Sequence, residues 1–248
     1  MNTIKAAGDN PNLLEVAYSA LRWNKPAQSY ISPRGKFIDP VQVRKVIDGD
    51  IVATQKRMQK LGGVLSQAAR DYQDGVTDKA AYDSKILEFA EEMRLEVKNL
   101  HLANAMAAKG GIANMDKSAY GMAGQLLKFH YGKLDDFVQE LQDDPSIATN
   151  NADGKLNFER RIDMYGEAGR FTYETIRQKS HLAENYKYGE NILEEGAHHC
   201  ASNNKTEGCL EQTAKGRVPI SQIVMIGKRT CGPAAHCYIK YFKYQKRQ

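Results

Sequence analysis

The stretch Ile86-Leu87-Glu88-Phe89-Ala90-Glu91-Glu92-Met93-Arg94-Leu95-Glu96-Val97-Lys98-Asn99-Leu100 decides the fold class. Ile86, Phe89, Met93, Val97 and Leu100 recur at steps of three and four, the spacing that puts side chains on one face of an α-helix. Leu87, Leu95 and Leu102 widen the stripe, which predicts a helix buried on two sides. The pattern runs from about Asp78 to Ala108. Gly75 and Thr77 mark a stop and a fresh start, with Thr77 read as the N-cap. Gly110-Gly111 ends the helix.

Helical patterns flank this segment. Upstream, Val43, Ile47, Ile51, Met58, Leu61, Leu65 and Ala68 share a face over about Val41 to Tyr72. Gly62-Gly63 weakens that helix, because each Gly costs about 1 kcal/mol relative to Ala. Downstream, a third helix begins near Asp116 and carries Met122, Leu126, Leu127, Phe129, Leu134, Phe137, Val138 and Leu141. Gly121, Gly124 and Gly132 predict close helix crossings there, or a break near Tyr131-Gly132. Asp143-Asp144-Pro145 closes it, and Asn150-Asn151-Ala152-Asp153-Gly154 reads as a polar loop. A fourth helix, about Asn157 to Asn185, carries Phe158, Ile162, Tyr165, Phe171, Tyr173, Ile176 and Leu182. Four helices joined by short loops predict a mainly α protein built on an elongated helical bundle.

The two ends read differently from this body, which spans 41–188. Residues 1–40 are broken by Asn10-Pro11-Asn12, Lys25-Pro26, Ser32-Pro33-Arg34-Gly35 and Asp39-Pro40, and predict an extended N-terminal arm. Trp23, Tyr30 and Phe37 are its docking groups, since exposed apolar area costs about 25 cal/mol per Å². Residues 189–248 form a small Cys-containing C-terminal module with short β-strands, seen in Val218-Pro219-Ile220, in Ile223-Val224-Met225-Ile226 and in the β-branched and aromatic run Cys237 to Tyr244. A mean hydropathy of -0.59 agrees with exposed ends on a folded body. No stretch approaches the roughly 20 apolar residues needed to cross a bilayer. The first residues lack the apolar centre of a secretory signal, so assembly in a cytoplasm is expected.

The net charge of +5 is unevenly spread. After Glu211 there is no acidic residue, while Lys228, Arg229, Lys240, Lys243, Lys246 and Arg247 all follow it. A positive field without counter-charge suits phosphates or an acidic protein surface, and these six are the predicted contacts to nucleic acid or a partner.

All 4 cysteines, Cys200, Cys209, Cys231 and Cys237, lie in that C-terminal module. Such clustering implies that the sulfurs meet in space. Thiolates can hold zinc tetrahedrally, and a module with little core gains stability from such a staple. Two disulfides, or free thiols packed as small hydrophobes, are the competing readings. The spacing is untidy: 8 residues separate the first pair and 5 the second, against about two to four in a typical zinc pair. His199 and His236 flank the cysteines and can substitute as ligands.

Enzyme signals are weak. There is no phosphate-binding G-x-x-x-x-G-K-[ST] loop and no G-x-G-x-x-G. A nucleophilic pair of Cys200 with His236 has no local context that marks an activated thiolate. Glu91-Glu92 and Glu194-Glu195 are surface charge, and His101 and His130 are structural. Tyr165, Tyr173, Tyr186 and Tyr188 read as packing or interface residues rather than base-stacking ones. A structural, non-enzymatic role is expected.

The run His199-Cys200 … Cys209-Leu210-Glu211 … Ala214-Lys215-Gly216 … Val218-Pro219 … Gly227 … Cys231 … Cys237-Tyr238-Ile239-Lys240-Tyr241 resembles the tail of phage minor head proteins related to the phage Mu F protein. The stretch Tyr30 to Phe37, and the runs Leu100-His101-Leu102-Ala103, Lys109-Gly110-Gly111 and Leu126 to Gly132, resemble portal-adjacent phage structural proteins. The likeness covers roughly residues 30 to 244. It departs from that pattern where Ala201 to Gly208 open the first cysteine pair, and where Ala235 replaces a further cysteine. The resemblance implies a few-copy virion component of the head or head–tail connector (a minor capsid, neck or adaptor protein) acting in capsid assembly or genome packaging. Its implied partners are portal, capsid or neck proteins and packaged DNA, in a multi-copy ring or homo-oligomer. The alternative is a nucleic-acid-binding protein that uses the basic, Cys-containing tail.

Overall fold

The computed structural model describes residues 22–24, 29–31, 37–38, 40–149, 157–194, 199–231 and 237–245 of the 248-residue chain. Four long helices dominate it: α1 (Pro40–Gln73), α2 (Lys79–Lys109), α3 (Lys117–Asp143) and α4 (Phe158–Ala183). The protein is mainly helical, as the periodicity predicts. No helix among the described residues is long and apolar enough to cross a membrane. The chain divides into two compact units, Met1–Gly169 and Arg170–Gln248, so the division falls inside α4.

The ends of α2 follow from local chemistry. Asp78, not Thr77, is its N-cap: the carboxylate accepts the Ala81 N–H at 2.8 Å. The charged oxygen suits both the unpaired amides and the positive end of the helix dipole. Gly110, at φ 77°, turns the chain out of the helix in a left-handed conformation that glycine adopts without strain. Asp116 caps α3 in the same way as Asp78, accepting the Ala119 N–H at 2.8 Å.

The stripe read from α2 is the core of the first unit. Ile86, Phe89, Met93 and Val97 are buried with Met58 and Leu65 of α1, Leu134, Phe137 and Leu141 of α3, and Phe158 and Ile162 of α4. Each such side chain contributes about 1.5–3 kcal/mol when fully buried. Phe89 meets Phe137 edge to face at 6.4 Å, and the Arg161 guanidinium caps the Phe137 ring at 3.9 Å. The second face expected on α2 is covered only towards the C-terminal end of the helix. Leu87 is 55% and Leu95 48% exposed, because α1 and α3 both pack on the Ile86–Val97 side, whereas Leu102 is partly buried and Ala103 to Ala108 are buried.

Glycine placement also differs from expectation. α3 runs unbroken through Gly132, and a side chain at Gly121, Gly124 or Gly132 would meet open space. The close crossings lie elsewhere. A Cβ on Gly62 would stand 2.3 Å from Ile162 Cδ1, and one on Gly166 would stand 2.2 Å from Gln55 Cγ. Gly62 therefore lets α4 approach α1, whereas Gly63 faces open space.

Of the expected N-terminal arm, residues 22–24, 29–31 and 37–38 are described. Its described residues form an antiparallel meander of β1 (Arg22–Asn24), β2 (Ser29–Ile31) and β3 (Phe37–Ile38). Trp23 pairs with Tyr30, and Ile31 with Phe37. Lys25-Pro26 falls between β1 and β2, and Ser32 to Gly35 between β2 and β3, while Pro40 opens α1. For Trp23, Tyr30 and Phe37 only the backbone is described.

The second unit carries an antiparallel sheet in the order β5-β4-β6, with β4 (Tyr188–Ile192) central, β5 (Arg217–Pro219) and β6 (Tyr238–Phe242). A short helix, α5 (Cys209–Ala214), packs on it. Tyr186, Ile220, Ile223, Ile226, Ile239 and Tyr241 form its core together with Cys209 and Cys237. Two of the expected strands are present. Ile223 to Ile226 is not a strand and supplies core side chains from an irregular segment.

Two measurements test this packing. Gly63→Ala should raise the unfolding midpoint by the equivalent of about 1 kcal/mol, while Gly62→Val should lower stability by about 1–3 kcal/mol through overpacking. Equal effects at both positions would contradict the assigned crossing. The second concerns His101 of α2, which is fully buried and stacks on His130 of α3 with ring centroids 4.8 Å apart. Burial first, and then the neighbouring His130, lowers its pKa to about 3, and burial lowers that of His130. The unfolded chain takes up these protons near pH 6.5 and the folded one does not, so stability is lost as pH falls from about 6.5 towards 3. We expect His101→Asn to flatten urea-midpoint dependence on pH across that window, by up to about 1.4 kcal/mol per pH unit. An unchanged slope would remove His101 as its source.

Candidate metal centre

Cys200 lies on the segment that follows β4, and Cys209 is the first residue of α5. The 8 residues between them form a loop closed at its neck. Asn203 accepts the amides of Lys205 and Thr206 at 2.9 and 2.8 Å, and the Asn203 N–H donates to the Thr206 carbonyl. Gly208 then passes so near the chain that a Cβ there would stand 2.4 Å from the Cys200 carbonyl oxygen. The loop is tied to the third cysteine as well. Thr230 donates its amide to Glu207 O and its hydroxyl to Thr206 O, which holds neighbouring Cys231 against Cys209. The irregular spacing is thereby absorbed.

The four sulfurs converge on Cys209. Its Sγ lies 3.6 Å from that of Cys200, 3.4 Å from that of Cys231 and 3.0 Å from that of Cys237. Edges of a tetrahedral site with metal–sulfur bonds of about 2.3 Å are about 3.8 Å, close to the first two. All four cysteines are unbridged. Cys200, Cys209 and Cys231 place their sulfurs within 4.8 Å of one another and can hold a metal ion. Cys237 stands outside that trio and is itself fully buried.

Charge in the cluster is arranged rather than diffuse. Hydrogen bonds from Cys231 and Cys237, then from Arg229 and Cys200, hold the Cys209 thiol well below the ordinary thiol range despite burial. Cys231 is pushed above it, first by its hydrogen bond with Cys209 and then by burial. A lowered thiol pKa at Cys209 favours the thiolate, the form a metal binds. Its counter-charge is Arg229, a buried residue whose Nη1 donates to Cys237 Sγ at 2.7 Å and reaches to 3.9 Å from Cys209 Sγ. Nη1 also donates to Asn191 Oδ1 at 2.6 Å, and Nε to Val224 O at 2.8 Å. Asn191, on β4, donates in turn to Thr213 Oγ1 and Cys209 O, so sheet and α5 share one network.

Arg229 is therefore corrected from a surface contact to a buried cation. Burying a guanidinium is costly unless it is hydrogen-bonded and neutralised; the sulfurs, Asn191 and the Val224 carbonyl take Nη1 and Nε, while Nη2 is buried without a partner among the described residues. The signal in the chain was its position two residues before Cys231 in a stretch without acids. Asn191 gave no such signal. Lys228, Lys240 and Lys243 are exposed as expected. Lys246, Arg247 and His236 lie outside the described residues. His199 is not brought into the sulfur group: its Nε2 pairs with the Glu194 carbonyl at 2.8 Å.

No family model, curated protein or solved structure matches the chain.

Cobalt(II) added to the reduced protein should produce thiolate-to-metal charge-transfer absorption. Cys209→Ser should abolish it, since the other three sulfurs all lie within 3.6 Å of that residue's. Arg229→Met should weaken binding by about 10–100-fold, the usual effect of losing a residue that supports a ligand. Wild-type affinity in both variants would disprove the assignment.

Proposed function

We propose that this protein is a virion structural component of a tailed phage, acting at the head or head–tail connector in capsid assembly or head–tail joining, and that a zinc ion closes its C-terminal module. The observation that carries the reading is the meeting of Cys200, Cys209, Cys231 and Cys237 around one sulfur. These are the positions on which the resemblance to phage minor head proteins rests. The insertion that departs from that family's pattern leaves the sulfurs within reach of one ion.

A sulfur-only donor set in a small module suits zinc, which supplies a structural cross-link here rather than a reaction. Cys200, Cys209 and Cys231 would hold it, with Cys237 as the fourth sulfur. Structural zinc of this kind contributes about 10–16 kcal/mol in small modules at neutral pH. Uncovered apolar side chains on the helical unit agree with assembly into something larger. Leu87 and Leu95 on α2 and Phe129 on α3 are each more than 45% exposed, and portal, capsid or neck proteins, or further copies in a ring, would cover them.

Peptides of this chain are expected in mass spectra of purified particles, at a few copies per virion, with a portal or terminase gene beside its coding sequence. Absence from purified particles that contain their portal would overturn the reading. Chelation should separately lower the melting temperature of the isolated chain. A melting temperature indifferent to zinc and chelator would reject the zinc part alone.

A further inference from the structure

The outer face of the β5-β4-β6 sheet is not used by the sulfur cluster or by the core. Along β6 burial alternates, with Ile239 and Tyr241 inward and Tyr238, Lys240 and Phe242 outward. Directly paired residues on antiparallel strands share a face. Tyr188 is opposite Phe242, Glu190 is opposite Lys240 and Arg217, and Ile192 is opposite Tyr238. Three partly exposed aromatic rings thus stand on two adjacent strands, with cations between and beside them. The Arg217 guanidinium lies flat against Phe242, 3.3 Å from its ring centre, and its Nε is 3.7 Å from Glu190 Oε2. Lys240 is exposed, 6.0 Å from the Tyr238 ring centre.

Charge selects the occupant. From Arg170 onward the chain holds 13 Lys and Arg against 7 Glu, an excess larger than the +5 of the whole chain. The one carboxylate among the described residues of the face, Glu190, has cations on both neighbouring strands. Rings spaced along adjacent strands and bordered by cations match unstacked bases with phosphates alongside. A duplex hides its base faces, whereas a single strand offers them. We propose that this sheet face binds single-stranded nucleic acid, with bases stacking on Tyr188, Tyr238 and Phe242 and the backbone running past Lys240 and Arg217. The aromatic surface distinguishes this from a purely electrostatic basic tail. It assigns Tyr188, read from sequence as a packing or interface residue rather than a base-stacking one, to ligand contact. The inference is independent of the virion role, because it is tested on the isolated chain.

The test is fluorescence anisotropy of the full-length reduced chain with labelled oligothymidylate and oligouridylate of about 16 nucleotides, the upper range for one small binding fold. Either oligomer should bind, more tightly than a duplex of equal length, and their ratio tells DNA from RNA. Tyr238→Leu and Phe242→Leu keep apolar bulk and should each weaken binding roughly tenfold, with the salt slope unchanged. Lys240→Gln should shallow the slope of log affinity against log salt by about 0.7. Photocrosslinking of the unmodified protein should label β4 and β6. Absence of binding, tighter binding to duplex, or crosslinks confined to other segments would overturn the proposal. So would Leu variants that bind as well as the parent, an outcome that would leave the face to an acidic protein partner.

Discussion

A guanidinium is buried beside two buried sulfurs in the second unit, Cys237 and Cys209, and such a cation is costly there without polar partners. An isolated thiolate in a dry interior would take a proton, and an isolated guanidinium would drag water or a carboxylate inward. Arg229 sits against Cys237 while its other hydrogen bonds go to β4 and to the carbonyl of Val224. That pairing fixes where β4, α5 and the segment before β6 meet. The unit's apolar core is small, so the electrostatic centre and any bound ion determine a large part of its cohesion.

The helical unit is held by a different principle. Its main core cluster is apolar, although Arg44, Asp50, Glu96, His101 and Asn104 are buried in the same unit and the Arg57–Glu96 pair at 2.8 Å is largely out of solvent. More exposed pairs such as Arg161–Glu140, at 2.7 Å, add little individually. Stability there rests on interdigitated side chains and on the two glycines that let α4 lie close to α1. One chain thus combines a unit ordered by apolar packing with a unit centred on a buried cation and a cluster of sulfurs.

The amphipathic pattern made the helices legible, because a buried stripe leaves a period of 3.6 in the residue order. It overstated the burial of Leu87 and Leu95, since an apolar residue declares a preference and not a neighbour. Glycine misled in α3 for a related reason: Gly121, Gly124 and Gly132 suggest crossings, but only the three-dimensional path of α4 puts the crossings at Gly62 and Gly166. The cysteine cluster was legible from its confinement to one module. Arg229 was misread as surface charge because composition counts cations without saying which have turned inward. β4 was hidden altogether, as Tyr188-Gly189-Glu190-Asn191-Ile192 has a glycine and an asparagine where a strand pattern expects apolar groups. Gly189 is needed there because Ile223 and Ile239 crowd its α-carbon, and Asn191 because it holds Arg229.

The loop between the first two sulfurs decouples chain spacing from ligand spacing. Its ends are clamped by Gly208 against Cys200 and by Thr230 against Glu207, while Ala201 to Lys205 stand in solvent. Lengthening a closed, solvent-borne hairpin is inexpensive, about 0.6 kcal/mol for each doubling. Evolution can therefore add or remove residues in that hoop while the sulfurs hold their positions. A sulfur cluster built this way is defined by its shape, and a search that demands fixed intervals between its cysteines will overlook it.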